Sequence, residues 1–131
     1  MSTSQTSRVA TLGHALVAVL FVAMAALQLN DPDPLLWFVV YLAIATMPAA
    51  RIFGYKLPTL FWGTVGMAIA CLLASANGFV DYVYSGDWGS VGEEMSAEKP
   101  YIEPAREFLG VAIGAVCLFF YRAWHRRPSD A

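Results

Sequence analysis

The sequence predicts an all-α membrane protein: a four-transmembrane-helix antiparallel bundle with both termini cytoplasmic (N-in/C-in). Three observations carry this. Residues 9–30, 34–50, 57–80 and 108–121 contain no Asp, Glu, Lys or Arg, and a bilayer crossing needs about 20 apolar residues. At 58% hydrophobic and 14% charged, the chain is far more apolar than soluble chains, which carry about 25% charged residues. The charges left over are sorted by sign, most acids in alternate loops and most bases opposite them. A chain of 131 residues is expected to form one transmembrane domain.

Span one is expected at 8–29. Arg8 followed by an apolar run and Ala23-Met24-Ala25 imitates a signal peptide, but the apolar run is long for one and a retained span is expected. It ends at Asn30-Asp31-Pro32-Asp33-Pro34, where a residue before proline favours extended backbone. Asp33 is placed to cap span two and Pro34 to open it. Span two covers 34–50, with Pro48 expected to kink or fray its last turn. A basic turn containing Gly54 leads to Pro58, which opens span three at 57–79. Asn77-Gly78 reads as its stop signal.

Residues 80–103 form the longest loop, too polar to cross. Its aromatics, Tyr82, Tyr84, Trp88 and Tyr101, place it on the membrane surface, with a short helix around 91–98. Span four is expected at 104–123. Its charge-free part is 14 residues, about 21 Å at 1.5 Å per residue, short of the ~30 Å hydrocarbon core. The helix must therefore begin near Pro104, with Arg106 and Glu107 in its first turn.

Bases flank cytoplasmic ends. Arg8, Arg51, Lys56, Arg122, Arg126 and Arg127 fall on one side, with nine of the ten acids on the other. Both acidic loops then face out. Tyr55, Trp62, Tyr121 and Trp124 mark the inner boundary, and Trp37, Tyr82 and Tyr101 the outer. The expected localisation is integral and multi-pass, in the cytoplasmic membrane if the source is bacterial.

Helical spacing picks out the faces. On span four, Glu103, Glu107, Gly110, Gly114, Cys117 and Tyr121 alternate by four and three residues, a heptad seam. It contains Gly110-x-x-x-Gly114, which lets a second helix approach closely. Gly66, Ala70 and Ala74 on span three are the expected partner face. His14, Ala18, Phe21, Ala25 and Gln28 form a seam on span one, and Trp37, Tyr41 and Ile44 on span two. These seams bring Gln28, Asn30, Asp31, Asp33, Glu103, Arg106 and Glu107 to one depth near the outer surface, with Trp37 and Tyr41 below.

That polar cluster has two readings. In one, the carboxylates are caps and ties: Asp33 caps span two, the glutamates favour the positive start of span four, and Arg106 pairs with Asp31, Asp33 or Glu103. In the other, four carboxylates against one Arg attract a cation or small polar ligand. His14 lies too deep to join them, about 21 Å from Gln28 along a helix, and is expected to hydrogen-bond a neighbouring helix. His125 reads as part of the cytoplasmic basic anchor. Cys71 and Cys117 are not a CxxC pair and read as small apolar residues.

On these residues the chain resembles the transmembrane protein 220 family. The likeness is carried by Gln28-x-Asn30-Asp31-Pro32-Asp33 followed by Trp37 and Tyr41, and by Glu103-x-x-Arg106-Glu107-x-x-Gly110. The resemblance implies a small polytopic membrane protein and brings no reaction, cofactor or catalytic residue.

The leading expectation is a non-enzymatic structural, accessory or interaction module. The alternative is a binding or transport protein using Asp31, Asp33, Glu103 and Glu107. A membrane enzyme ranks last, since no nucleophile motif is present. No cofactor, metal or catalytic residue is assigned. The expected partners are the lipid bilayer and another membrane protein or a second copy; the few, interrupted bases argue against nucleic acid.

Overall fold

A computed structural model describes residues 8–31, 33–93 and 98–126. The described residues are all-helical in architecture: α1 (Arg8–Leu27), α2 (Pro34–Phe53), α3 (Pro58–Ser85) and α4 (Ile102–His125). All four are long and apolar enough to cross a membrane. α1 packs chiefly on α2 and α3 chiefly on α4, while α2 also touches both α3 and α4.

Each helix boundary has a local cause. α1 tightens into a 3-10 turn at Gln28–Asn30, closed by the Asp31 N–H on the Gln28 carbonyl at 3.0 Å. Pro34 occupies the first turn of α2, where no amide hydrogen is needed. α2 runs past its expected end at Ala50. The helix runs on to Phe53 with Pro48 fully buried, since neighbouring helices can re-satisfy a proline-interrupted ladder. The stop is Gly54, at φ 79°. The Tyr55 N–H reaches the Ala50 carbonyl at 2.9 Å and the Gly54 N–H the Arg51 carbonyl at 3.4 Å, a Schellman ending.

α3 corrects a second boundary. It passes through Asn77-Gly78 and ends at Gly86, φ 69°. Gly78 is a notch rather than a stop: a Cβ there would overlap the Pro104 ring, with its Cγ at 2.7 Å. The close approach of α4 offsets the ~1 kcal/mol that glycine costs inside a helix. The 28 residues of α3 make a rod of about 42 Å. The expected loop at 80–103 is thus largely helical at its start, with a 3-10 turn at Trp88–Gly92. The short helix expected around 91–98 falls partly outside the described residues. α4 begins at Ile102 rather than Pro104; Pro104 fits inside the first turn because those amide hydrogens lack helical partners anyway.

The core is a column of Phe21, Tyr41, Ile44, Phe61, Val111 and Leu118. The outer faces are also apolar: Val19, Leu35, Leu73 and Phe120 are all exposed, as suits contact with lipid chains. Because lipid is as apolar as leucine, these helices associate through close packing rather than water exclusion. Gly110 and Gly114 are buried, but their neighbours are not those expected. A Cβ on Gly110 would collide with the Tyr41 hydroxyl, and one on Gly114 would stand 2.6 Å from Ile44 Cδ1. Their partner is α2, not α3. Gly66, Ala70 and Ala74 are exposed, and a Cβ on Gly66 would meet nothing within 4 Å. The inward face of α3 is instead Phe61, Thr64, Ala68, Cys71, Ser75 and Tyr82.

Candidate functional site

The two ends of the bundle carry opposite chemistry. At the acidic end, Gln28 and Asp31, following α1, meet the first turns of α4. Leu27, Gln28, Asp31, Glu103, Arg106 and Glu107 line one cavity of about 230 Å³. Glu103 and Glu107 project from the same stripe of α4, one helical turn apart. The Gln28 amide donates to the Met24 carbonyl at 3.3 Å, which fixes its side chain back along α1.

The remaining candidates divide. Asp33 and Trp37 line a neighbouring hollow with Pro34, Leu35 and Leu36. Asn30 is exposed and lines neither space. Trp37 and Tyr41 are buried, so Trp37 is part of the packing and not a boundary anchor. Asp33 holds the N-cap position of α2, yet its side chain makes no capping bond.

Arg106 also departs from expectation. Among the described residues, the ion pairs are those of Lys99 with Asp87 and Glu93, and none joins Arg106 to Asp31, Asp33 or Glu103. Arg106 is exposed, where a helical pair with Glu103 is worth only ~0.2–0.5 kcal/mol and does not hold the guanidinium. The cavity therefore presents Asp31, Glu103 and Glu107 with one loosely held cation. Such a space suits a small ligand with positive charge or several hydrogen-bond donors. Among the described residues, no group of three His, Cys, Asp or Glu is arranged to hold a metal ion.

Above this end, the loop folds onto α3. The Tyr82 hydroxyl donates to the Trp88 carbonyl, and the Trp88 indole to the Val83 carbonyl at 3.0 Å. Lys99 bridges Asp87 at 2.7 Å and Glu93 at 3.0 Å. The Lys99 ammonium holds the Asp87 carboxyl below the usual carboxylate range, and the two acids raise Lys99 in turn.

The basic end holds two groups that matter more than their sequence context suggested. His14 Nδ1 shares a hydrogen bond with the Tyr121 hydroxyl, joining α1 to α4 as expected of His14. His125 is not an exposed anchor: it is fully buried. Its Nδ1 accepts the Leu57 N–H at 3.1 Å, its Nε2 lies 3.3 Å from the Met47 carbonyl, and its ring stacks on Phe61 at 5.7 Å. Continued by its own alternation, the seam read from the sequence lands on Trp124; the inward face of α4 runs instead through Gly114, Leu118, Tyr121 and His125. Beside it, the Arg51 guanidinium lies 3.8 Å above the Trp124 ring, with Lys56 Nζ at 5.5 Å from the same ring. The Trp124 indole donates to the Tyr55 carbonyl at 2.9 Å.

Four lipid-length helices with apolar exteriors, and polar groups gathered at their ends, define a polytopic helical membrane protein. Residues 20–123 match the family model described as transmembrane family 220, helix, and the chain belongs to that family. The matched region contains both motifs of the acidic end; its description names no activity. No curated protein and no solved structure matches the chain.

Proposed function

We propose that this is a non-enzymatic accessory or interaction protein, its helices crossing antiparallel with both termini on the cytoplasmic side. The observation that supports it is where the polar side chains within the helices go. Thr46, Thr64 and Ser75 bond carbonyls one turn back at 2.9, 2.7 and 2.8 Å. His14 and His125 tie helices together. These groups serve packing. The orientation rests on charge: Arg51, Lys56 and Arg122 at one end, Asp31, Asp33, Glu103 and Glu107 at the other, with bases favouring the cytoplasm. Reporter fusions after Arg126 and within 86–92 should read opposite sides, the first cytoplasmic. The same side for both defeats the proposed topology.

A second reading is favoured by one observation: Asp31, Glu103 and Glu107 share one cavity, and among the described residues no ion pair joins Arg106 to them. On that reading Asp31, Glu103 and Glu107, with Asp33 nearby, take a cation or small polar ligand. Thermal melts of Asp31→Asn, Glu107→Gln and Arg106→Ala, with chelator, with magnesium and with spermidine, separate the two. Under the leading reading, all three variants melt within the ~0.5 kcal/mol typical of surface changes, and no addition matters. Under the second, a cation raises the wild-type midpoint, by about 2.7 kcal/mol at a hundredfold excess over Kd. That gain vanishes in Glu107→Gln.

A further inference from the structure

Between α1 and α4 a groove of about 430 Å³ runs from mid-span to the basic end. Val17, Phe21, Ile113, Val116 and Phe120 form its apolar walls, and His14, Arg51, Tyr121 and Trp124 close its basic end. Its rim is exposed: Leu20 by 51%, Ile113 by 55% and Phe120 by 75%. In a bilayer, such an opening faces lipid sideways.

We propose that this groove seats an acyl chain of an anionic phospholipid whose phosphate is met by Arg51, with Lys56 beside it. Three observations support that occupant. From Ile113 to Trp124 along α4 is about 16 Å, close to half of the ~30 Å hydrocarbon core, so the groove has the reach of a single leaflet. Its volume falls within the ~300–1,000 Å³ range of small-molecule sites. Its charge complements a phosphate: among the described residues, neither Arg51 nor Lys56 has an acidic partner. The Arg51 guanidinium is already oriented by the Trp124 ring. Stacking occupies its face and leaves its N–H edge for bidentate phosphate binding. The Trp124–Tyr55 bond fixes that platform. His14 uses only Nδ1 on Tyr121, so Nε2 remains for the glycerol or ester region. With the proposed orientation, this is the cytoplasmic leaflet, the one rich in anionic lipid; binding in detergent does not depend on that orientation.

Native mass spectrometry of the full chain, released from detergent with equal phosphatidylglycerol and phosphatidylcholine of matched acyl chains, tests the assignment. Wild type should retain phosphatidylglycerol over phosphatidylcholine by about fivefold or more, as ~1 kcal/mol per basic residue implies. Arg51→Gln should bring the ratio toward one. Lys56→Gln, in an exposed turn that tolerates change, should lower it by a smaller factor. Ile113→Trp, which fills the groove from its exposed rim, should lose both lipids while leaving Arg51 in place. Equal retention in wild type overturns the proposal. So does unchanged selectivity in both charge variants, or displacement of phosphatidylglycerol by millimolar inorganic phosphate, which would mean a bare anion site. Dimers without lipid adducts would assign the groove to a second copy and overturn it equally.

Discussion

One imidazole joins three helices. Because Nδ1 of His125 accepts the Leu57 N–H, the ring proton sits on Nε2 and is donated to the Met47 carbonyl. An imidazolium would turn Nδ1 into a second donor facing the Leu57 amide, so the site selects one neutral tautomer. The Leu57 N–H is an orphan donor preceding α3, and His125 supplies its acceptor. His125→Ala removes both bonds and the stack on Phe61, and should cost about 3–5 kcal/mol, as aromatic truncations do. His125→Phe keeps a ring on Phe61 but strands two backbone groups, at ~1–3 kcal/mol each when buried. It should still lower the melting midpoint in mild detergent. A wild-type midpoint for His125→Phe would show that packing alone matters there. The arginines around His125 conceal it in the sequence: charge says surface, and only the observed roll of α4, with Leu118 rather than Cys117 inward, turns it to the interior.

At the scale of the helices, glycine is used in opposite ways. Gly110 and Gly114 admit Tyr41 and Ile44 of α2, and Gly78 admits Pro104 of α4. Gly66 faces open space. Alanine should therefore separate them. Gly110→Ala and Gly78→Ala force a methyl into occupied volume and should destabilise by about 1–3 kcal/mol. Gly66→Ala gains helix propensity at no steric cost and should be neutral or stabilising by up to ~1 kcal/mol. Thermal melts of the three variants under one detergent condition decide the matter. Equal damage from Gly66→Ala would mean that the outer face of α3 is covered by a partner. The spacing Gly110-x-x-x-Gly114 reveals that a close approach exists but not to whom, because every helix in a bundle presents some small residues. Only the arrangement of all four assigns α2.

For the molecule as a whole, the four helices and their order are legible in the sequence because charge is excluded from lipid at high cost. Helix ends are less so. Pro48 and Asn77-Gly78 carry stop signals that tertiary contacts override, and α2 and α3 run past both. The acidic end is legible in part: the seams bring Gln28, Asp31, Glu103 and Glu107 into one cavity. They do not reveal that Asp33 and Trp37 turn to a second hollow, or that Arg106 lines the cavity without an ion pair to its acids. Those choices depend on rotamers and the roll of each helix. The basic end is barely legible, since Arg51, Trp124 and Tyr55 are far apart in sequence. The gradient along the chain has a consequence for biosynthesis. Apolar character falls steadily from α1 to α4, and α1 is the least buried by its neighbours. Of these four, α1 leaves the ribosome earliest and can thus dissolve in lipid alone. By contrast α4, with Glu103, Arg106 and Glu107 at its leading edge, emerges after α1, α2 and α3. The same helices translated in reverse would send the most polar of them into lipid unaccompanied.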